Sequence, residues 1–147
     1  MLGIRSVGEL ANAIRETPRS LYETADRVDE LVQLYELSNP AAPHKKVRIV
    51  RCPTGPLRRV QTSLLRLLFR PRLWPSRHSY GGVPGRSAVK NAAAHLGSQF
   101  IYTCDIKDFF PSIKHVRVRE LFASRLDCSD EVAALLRSGK NVVTPVG

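Results

Sequence analysis

The sequence has few cysteines and no long apolar run, and each of these absences excludes a class of protein. The three cysteines are far apart, without a Cys-x-x-Cys pair or a zinc-like Cys/His spacing, so neither a disulfide framework nor a structural zinc site is indicated. No apolar run reaches the roughly 18 residues of a membrane-spanning helix. The N-terminus also lacks the apolar segment of a secretory signal. We therefore expect no membrane association and a cytoplasmic location, where cysteines stay reduced.

Acidic residues are missing from the middle of the chain. The net charge is +10, and residues 41–98 contain twelve Lys and Arg but no Asp or Glu. Residues 1–40, in contrast, carry four Arg and seven acidic residues. A protein that is basic only to stay soluble usually mixes both signs on its solvated faces. The concentration of positive charge therefore favours a surface that binds the phosphate backbone of a nucleic acid.

Hydrophobic periodicity predicts a mixture of helices and strands in the first half of the chain. Helices are expected over 6–15, with Ser6 as N-cap, and over 19–37. The alternating, β-branched segment 47–51 predicts a strand. A third helix is expected over 57–69, ended by the prolines that follow it. Its buried face is expected to comprise Leu57, Val60, Leu64, Leu65, Leu67 and Leu68.

The second half of the chain is expected to contain a loop, a buried strand and three helices. Residues 76–87 are rich in glycine and hydroxyl groups, which predicts a loop, and 88–97 suit a short helix. The apolar segment 100–106 predicts a buried strand. Two further helices are expected to begin at Ser112 and Ser129 and to end near Arg125 and Gly139.

Asp105 stands at the end of that predicted buried strand. Burying a carboxylate is costly unless a partner compensates its charge, and a metal ion is one such partner. Magnesium prefers oxygen ligands, and polymerases hold two magnesium ions to align the attacking hydroxyl with the triphosphate. A strand-end Asp that caps a helix or forms an ion pair is the commoner case for so short a pattern. The local pattern alone therefore does not establish a metal site.

Three ordered sequence blocks favour a metal-binding role for Asp105 over a capping or ion-pairing role. The string FIYTCDIKDFFPSI, residues 100–113, resembles the first catalytic motif of the reverse transcriptase family, in its bacterial retron and group II intron branch. Upstream, Tyr80–His95 resembles the Gly-x-x-x-Gly-Arg-Ser block of that family, and Lys45–Leu68 resembles its Lys-x-x-Arg-x-Ile block and the helix that follows. The resemblance covers about residues 45–113. It implies an α/β (α+β) polymerase right-hand fold that includes the fingers and the start of the palm.

The resemblance implies three segments and a role for particular residues in each. Residues 1–40 would be an acidic helical leader, 41–98 the basic fingers region, and 99–147 the start of the palm. Asp105 would be the catalytic carboxylate that binds Mg²⁺, and the Ile106 carbonyl would join it. The residues implied in nucleotide binding are Lys46, Arg48, Asp108, Phe109 and Phe110.

Within that nucleotide site, the residues would act in different ways. Arg48, with Lys45 or Lys46 nearby, would contact the triphosphate, since a guanidinium suits bidentate contact with phosphate. Asp108 and the neighbouring backbone amides would line the triphosphate. The Phe110 ring would exclude a ribose 2′-hydroxyl, while the Phe109 ring is expected to pack in the core.

The residues implied in nucleic-acid binding lie on the third helix and in the loop after it. They are Arg58, Arg59, Gly85, Arg86 and Ser87. Glycine would allow the backbone to approach the template strand closely. For Arg58, Arg59 and Arg66, a general template-facing or solvated surface is favoured over specific contacts. Trp74 and Tyr80 could stack on bases or pack beneath the loop.

The implied partners are an RNA template, a DNA or RNA primer and deoxynucleoside triphosphates. The two-metal site would be only partly supplied, because the sequence contains no Asp-Asp pair. A second chain or a C-terminal segment would have to carry that motif, so the chain alone is expected to be inactive and to expose apolar surface. It could be a truncated enzyme, half of a split enzyme, or a non-catalytic RNA-binding or regulatory module. A role in antiviral defence or in a mobile element is implied by analogy alone.

Overall fold

The computed structural model describes residues 1–37, 48–107 and 109–137, without the side chains of Arg48, Phe110 and Pro111. The first helix, α1, spans Val7–Ile14 and begins as the sequence predicts. The Ser6 hydroxyl accepts a hydrogen bond from the Glu9 backbone N–H at 3.1 Å. The Glu9 carboxylate in turn accepts one from the Arg5 backbone N–H at 2.7 Å, so the cap satisfies one donor of the first turn and one donor just before it.

The second predicted helix is wrong in its C-terminal half. Helix α2 spans Pro18–Asp26, and a turn then leads into strand β1, Val32–Leu37. Strand β2, Arg48–Pro53, confirms the predicted strand and pairs antiparallel with β1, from Val32 opposite Pro53 to Leu37 opposite Arg48. Val, Leu and Tyr fit a strand as well as a helix, and backbone pairing with β2 decides between the two.

A long helical segment follows the sheet and continues past the predicted proline stop. Helix α3 spans Gly55–Ser63, a π-helical segment covers Leu64–Phe69, and the short helix α4 spans Arg70–Arg72. Pro71 lies in the first turn of α4, where a missing backbone donor costs little. The helical segment therefore ends at Arg72 and not at Phe69, so the predicted end is wrong.

The remaining helices are shorter than the sequence predicts. They are α5, Ala88–Ala93; α6, Phe109–Ser112; α7, His115–Glu120, continued by a π-helical segment Leu121–Arg125; and α8, Asp130–Leu136. Ser129 caps α8 as predicted, since its hydroxyl accepts from the Val132 N–H at 3.3 Å. Ser112 is instead the last residue of α6 and donates to the Phe109 carbonyl, so its predicted capping role is wrong. The predicted end at Gly139 lies outside the described residues.

The hydrophobic core joins the N-terminal helices to the C-terminal helix. The N–H groups of Leu2 and Gly3 donate to the Leu126 carbonyl at 2.8 and 3.1 Å, and the Ser129 N–H donates to the Ile4 carbonyl at 2.9 Å. The buried cluster consists of Leu2, Ile4, Val7, Leu10, Ala11, Ile14, Leu21, Val60, Leu68, Cys128 and Val132. The core thus takes residues from all three predicted segments, whose boundaries stay a prediction. No helix in the described part of the chain is long and apolar enough to span a membrane.

Candidate nucleotide and nucleic-acid site

The segment that carries Asp105 is exposed and is not a strand. Residues 100–106 have no regular secondary structure, and the side chains of Phe100 and Tyr102 are 92% and 90% exposed. The predicted buried strand is therefore wrong for this structure, because a strand needs a neighbouring strand for its backbone hydrogen bonds. Within residues 1–37, 48–107 and 109–137, the one sheet is the β1–β2 pair. The predicted exposed apolar surface is confirmed here.

Asp105 is exposed and has no partner carboxylates close enough to form a metal site in the described part of the chain. Among those residues, no three His, Cys, Asp or Glu side chains lie together as a metal site would require. Asp108, the nearest acidic residue in sequence, lies outside them. Asp105 thus supplies one carboxylate, and the side chains of the described residues do not form a two-metal site by themselves.

The aromatic pair after Asp105 lies on α6. The side chain of Phe109 is half exposed, so its predicted packing in the core is wrong in this structure. The core is built from the N-terminal residues, α1, α2, α3, the π-helical segment Leu64–Phe69, Cys128 and α8, and the cluster of buried residues does not include Phe109. The side chain of Phe110 lies outside what the structure describes, and so do Lys46 and the side chain of Arg48. Their predicted contacts with the nucleotide stay predictions.

The glycine-rich loop is held together by Arg86. Its guanidinium Nη1 donates to the carbonyls of Ser76 and Ser79, both at 2.5 Å. Gly85 has a φ of +76°, a conformation that favours glycine, and its carbonyl accepts from the Lys90 Nζ at 2.6 Å. The Ser87 hydroxyl caps α5 by accepting from the Lys90 N–H at 3.2 Å. Arg86 and Ser87 thus have structural roles, whereas their predicted contacts with nucleic acid remain untested.

We expect Arg86→Gln to loosen this loop. The shorter amide cannot hold both carbonyls, and losing one charge-assisted hydrogen bond costs about 1.5–3 kcal/mol. The amides of Ser79 and Arg86, which donate within the loop to Ser76 and Val83, should exchange with deuterium at least about tenfold faster.

Arg77→Gln is the matched control, because Arg77 lies in the same loop and its Nε donates only locally, to the neighbouring His78 ring at 2.9 Å. Its loop amides should exchange at the parent rate. Equal protection in the Arg86 variant would contradict the structural role of Arg86.

The two neighbouring arginines of α3 are placed differently. The Arg59 Nε forms an ion pair with the Glu16 carboxylate at 2.8 Å, and the other Glu16 oxygen accepts from the Ser20 hydroxyl at 2.9 Å. Arg58 is exposed, and none of the ion pairs within the described residues includes it. Arg59 therefore fastens α3 to the N-terminal helices, while Arg58 remains available to a ligand.

Sequence reasoning missed two features of this region. The side-chain nitrogen of Gln61 on α3 is buried and has no hydrogen-bond partner within the described residues. Arg70 was not singled out, although it is exposed and lies four residues beyond Arg66. Counting cations at four-residue intervals along the whole helical segment would have found Arg70, whereas no sequence signal indicated the burial of the Gln61 amide.

Comparison with known proteins finds similar sequences among bacterial reverse transcriptases. Retron Mx65 reverse transcriptase of Myxococcus xanthus is 41% identical over 75 residues, which are 51% of this chain and 17% of that protein. Retron Ec86 reverse transcriptase of Escherichia coli is 33% identical over 109 residues, which are 74% of this chain and 32% of that protein. The chain therefore spans less than a third of the length of these relatives. No protein-family model matches the sequence.

Proposed function

This chain belongs with the retron reverse transcriptases over the residues that match them, and we propose that it forms the fingers and first catalytic motif of an RNA-directed DNA polymerase. The observation that carries this proposal is the 33% identity over 109 residues to a retron reverse transcriptase. The acid-free segment 41–98 supports it, because it supplies the positive surface that a template and primer require. We also propose a cytoplasmic location, where the cysteines stay reduced, and by analogy alone a role in antiviral defence or in a mobile element.

Asp105 is the residue that we assign to the reacting centre. It would provide one carboxylate for Mg²⁺, and the Ile106 carbonyl would provide a second oxygen. Magnesium, when bound, supplies charge stabilisation at the oxygens of an in-line phosphoryl displacement. Because one carboxylate does not make the site, further carboxylates must come from other residues or another chain.

The other assigned residues bind and select the nucleotide. Arg48 and Lys46 would hold the triphosphate by charge-assisted hydrogen bonds. The backbone around Asp108 and Phe109 would line the triphosphate, and the Phe110 ring would stand against the 2′ position of the sugar. The exposed segment 100–106 would become a strand when neighbouring palm strands pair with it, which would also bury Phe100 and Tyr102.

Primer extension by a chimera tests the proposal. Residues 1–113 would replace the matching part of Retron Ec86 reverse transcriptase, which retains its own remaining residues. We expect DNA synthesis on an RNA template with deoxynucleotides and Mg²⁺. A folded chimera that binds template and primer but makes no DNA would contradict the assignment.

Phe110→Ala in the same chimera should relax sugar selection. Removing the ring opens space for a 2′-hydroxyl, and a steric contact of this size discriminates by roughly 10- to 200-fold. The ratio of ribonucleotide to deoxynucleotide incorporation should rise by about that factor. Phe109→Ala is the matched control, and an equal rise in both variants would contradict the assignment of the gate to Phe110.

A non-catalytic RNA-binding module is the second candidate. The observation that favours it is that Asp105 is exposed and belongs to no group of three potential metal-binding side chains among the described residues. Such a module would bind RNA equally well after Asp105→Ala. RNA binding by this chain together with an inactive, folded chimera would select this function over the polymerase.

A further inference from the structure

A row of positive charge follows the outer side of the helical segment that begins at Gly55. Arg58, Thr62, Arg66 and Arg70 recur every four residues, and all four side chains are exposed. The segment 55–72 contains no acidic residue. Trp74 continues the same interval just beyond α4 and is 91% exposed. We call these five residues the basic ridge.

The π-helical segment keeps this row straight. With 3.6 residues per turn, four residues of an α-helix advance the direction of a side chain by about 40° beyond a full turn. In the segment Leu64–Phe69, hydrogen bonds span five residues, so a turn holds more residues and four of them fall short of one. The drift between Arg58 and Thr62 is thereby offset between Arg66 and Arg70, and the arginines stay on one side.

The arginines of the ridge differ from the neighbouring Arg59 and Arg72 because their guanidinium groups have no partner among the described residues. Arg59 is paired with Glu16, and the Arg72 guanidinium donates to the Leu2 carbonyl at 3.3 Å. Among the described residues, no ion pair or hydrogen bond involves the guanidinium groups of Arg58, Arg66 or Arg70, although the Arg58 backbone carbonyl accepts from the Thr62 hydroxyl at 2.8 Å. The same helix thus uses one set of arginines to hold the fold and leaves another set aligned and unpaired.

Trp74 indicates which anionic polymer fits the ridge. An indole that is almost fully exposed leaves a large apolar surface in water, and Pro71 and Pro75 limit the backbone on both sides of it. A positive groove or ridge with an exposed aromatic side chain is typical of single-strand binding, in which the cations follow phosphates and the ring stacks on a base. In a duplex the bases are already stacked and are not available to the indole.

We propose that the basic ridge binds single-stranded RNA, with Arg58, Arg66 and Arg70 on successive phosphates and Trp74 stacked on a base. The choice of RNA rests on the proposed function, in which the template is RNA. The ridge would guide the template strand toward the glycine-rich loop, because the chain passes directly from Trp74 into residues 76–87. Arg59 and Arg86 would then have no direct part in binding the strand.

Titration of this 147-residue chain with a single-stranded oligonucleotide tests the proposal. Trp74 is the one tryptophan of the sequence, so stacking on a base should quench the intrinsic fluorescence of the protein. The first variant is Arg58→Gln/Arg66→Gln/Arg70→Gln. The matched control is Arg19→Gln/Arg27→Gln/Arg117→Gln, which removes the same charge from exposed arginines that are paired with Glu23, Glu30 and Glu120.

The ridge variant should bind RNA roughly a hundredfold more weakly at 0.1 M salt, and its log–log salt slope should be smaller by about 2, because each single-strand phosphate contact contributes about 0.7. The control should bind like the parent chain. Trp74→Ala should weaken binding roughly tenfold and leave the salt slope unchanged. Circular dichroism should show the parent helix content in every variant.

Several results would overturn the proposal. They are absence of RNA binding by the parent chain, equal losses in the ridge and control variants, unquenched Trp74, or tighter binding of duplex RNA or of single-stranded DNA. None of them depends on Asp105. If the RNA titrations contradict the ridge but the chimera makes DNA, the polymerase assignment stays intact. If the ridge binds RNA as proposed but the folded chimera makes no DNA, the RNA-binding module is supported.

Discussion

Replacing Asp105 by Asn in the chimera is expected to lower primer extension by at least about a thousandfold. The two side chains have nearly the same size, but the amide has no negative charge to offer Mg²⁺, which prefers anionic oxygen. Loss of several kcal/mol of charge stabilisation in the transition state corresponds to a factor of this order. The measurement is the single-turnover rate of the first deoxynucleotide addition on an RNA template.

The matched control for this variant is Asp130→Asn. Asp130 is also an exposed aspartate, in the first turn of α8, and it accepts a hydrogen bond from the Arg119 guanidinium at 2.9 Å. Because residues 1–113 alone enter the first chimera, the control requires an otherwise identical chimera that extends to residue 137. Its rate should stay within a few-fold of its parent. A rate near that of the parent chimera for Asp105→Asn would remove Asp105 from the reacting centre.

The thermal stability of the Asp105 variant separates catalysis from folding. Asp105 is exposed in this structure, so its replacement should leave the melting temperature of the 147-residue chain unchanged. A loss of synthesis with an unchanged melting temperature is expected of a ligand to the reacting centre. A fall in both would instead indicate a structural role.

Local sequence patterns predicted the parts of the fold that local interactions form. The N-cap at Ser6, the N-cap at Ser129 and the strand that begins at Arg48 are each determined by a few neighbouring residues, and the structure confirms them. Helical spacing alone puts Val7, Leu10, Ala11 and Ile14 on one face of α1, and all four are buried in the structure.

Predictions failed where distant contacts decide the structure. Residues 32–37 carry a helical pattern, yet they pair with a strand whose position the pattern does not reveal. Residues 100–106 have the composition of a buried strand, but within the described residues no strand lies beside them. Of the candidate site, the sequence identified the residue types and their order, while the structural roles of Arg59 and Arg86 depend on contacts with Glu16 and with carbonyls of the loop.

Leu67 and Leu68 show, within a single helical segment, where the local pattern predicts burial correctly and where it does not. Helical spacing placed both on the buried face, but Leu68 is 0% exposed and Leu67 is 37% exposed. The π-helical segment has more residues per turn than an α-helix, and it therefore displaces the apolar face from the position that α-helical spacing predicts. This difference gives a direct test of the core.

Leu68→Ala should lower the free energy of unfolding of the 147-residue chain by about 2–5 kcal/mol, because it removes a fully buried side chain and leaves a cavity. A domain of this kind is stable by roughly 5–15 kcal/mol, so the variant loses a large part of its margin. The melting temperature should fall by roughly 5–15 °C.

Leu67→Ala, one residue away in the same π-helical segment, should cost under about 1 kcal/mol, since that side chain already contacts water. Urea titration followed by circular dichroism measures both. Equal losses would show that Leu67 contributes as much to the core as Leu68, and would contradict the packing of this segment against α1.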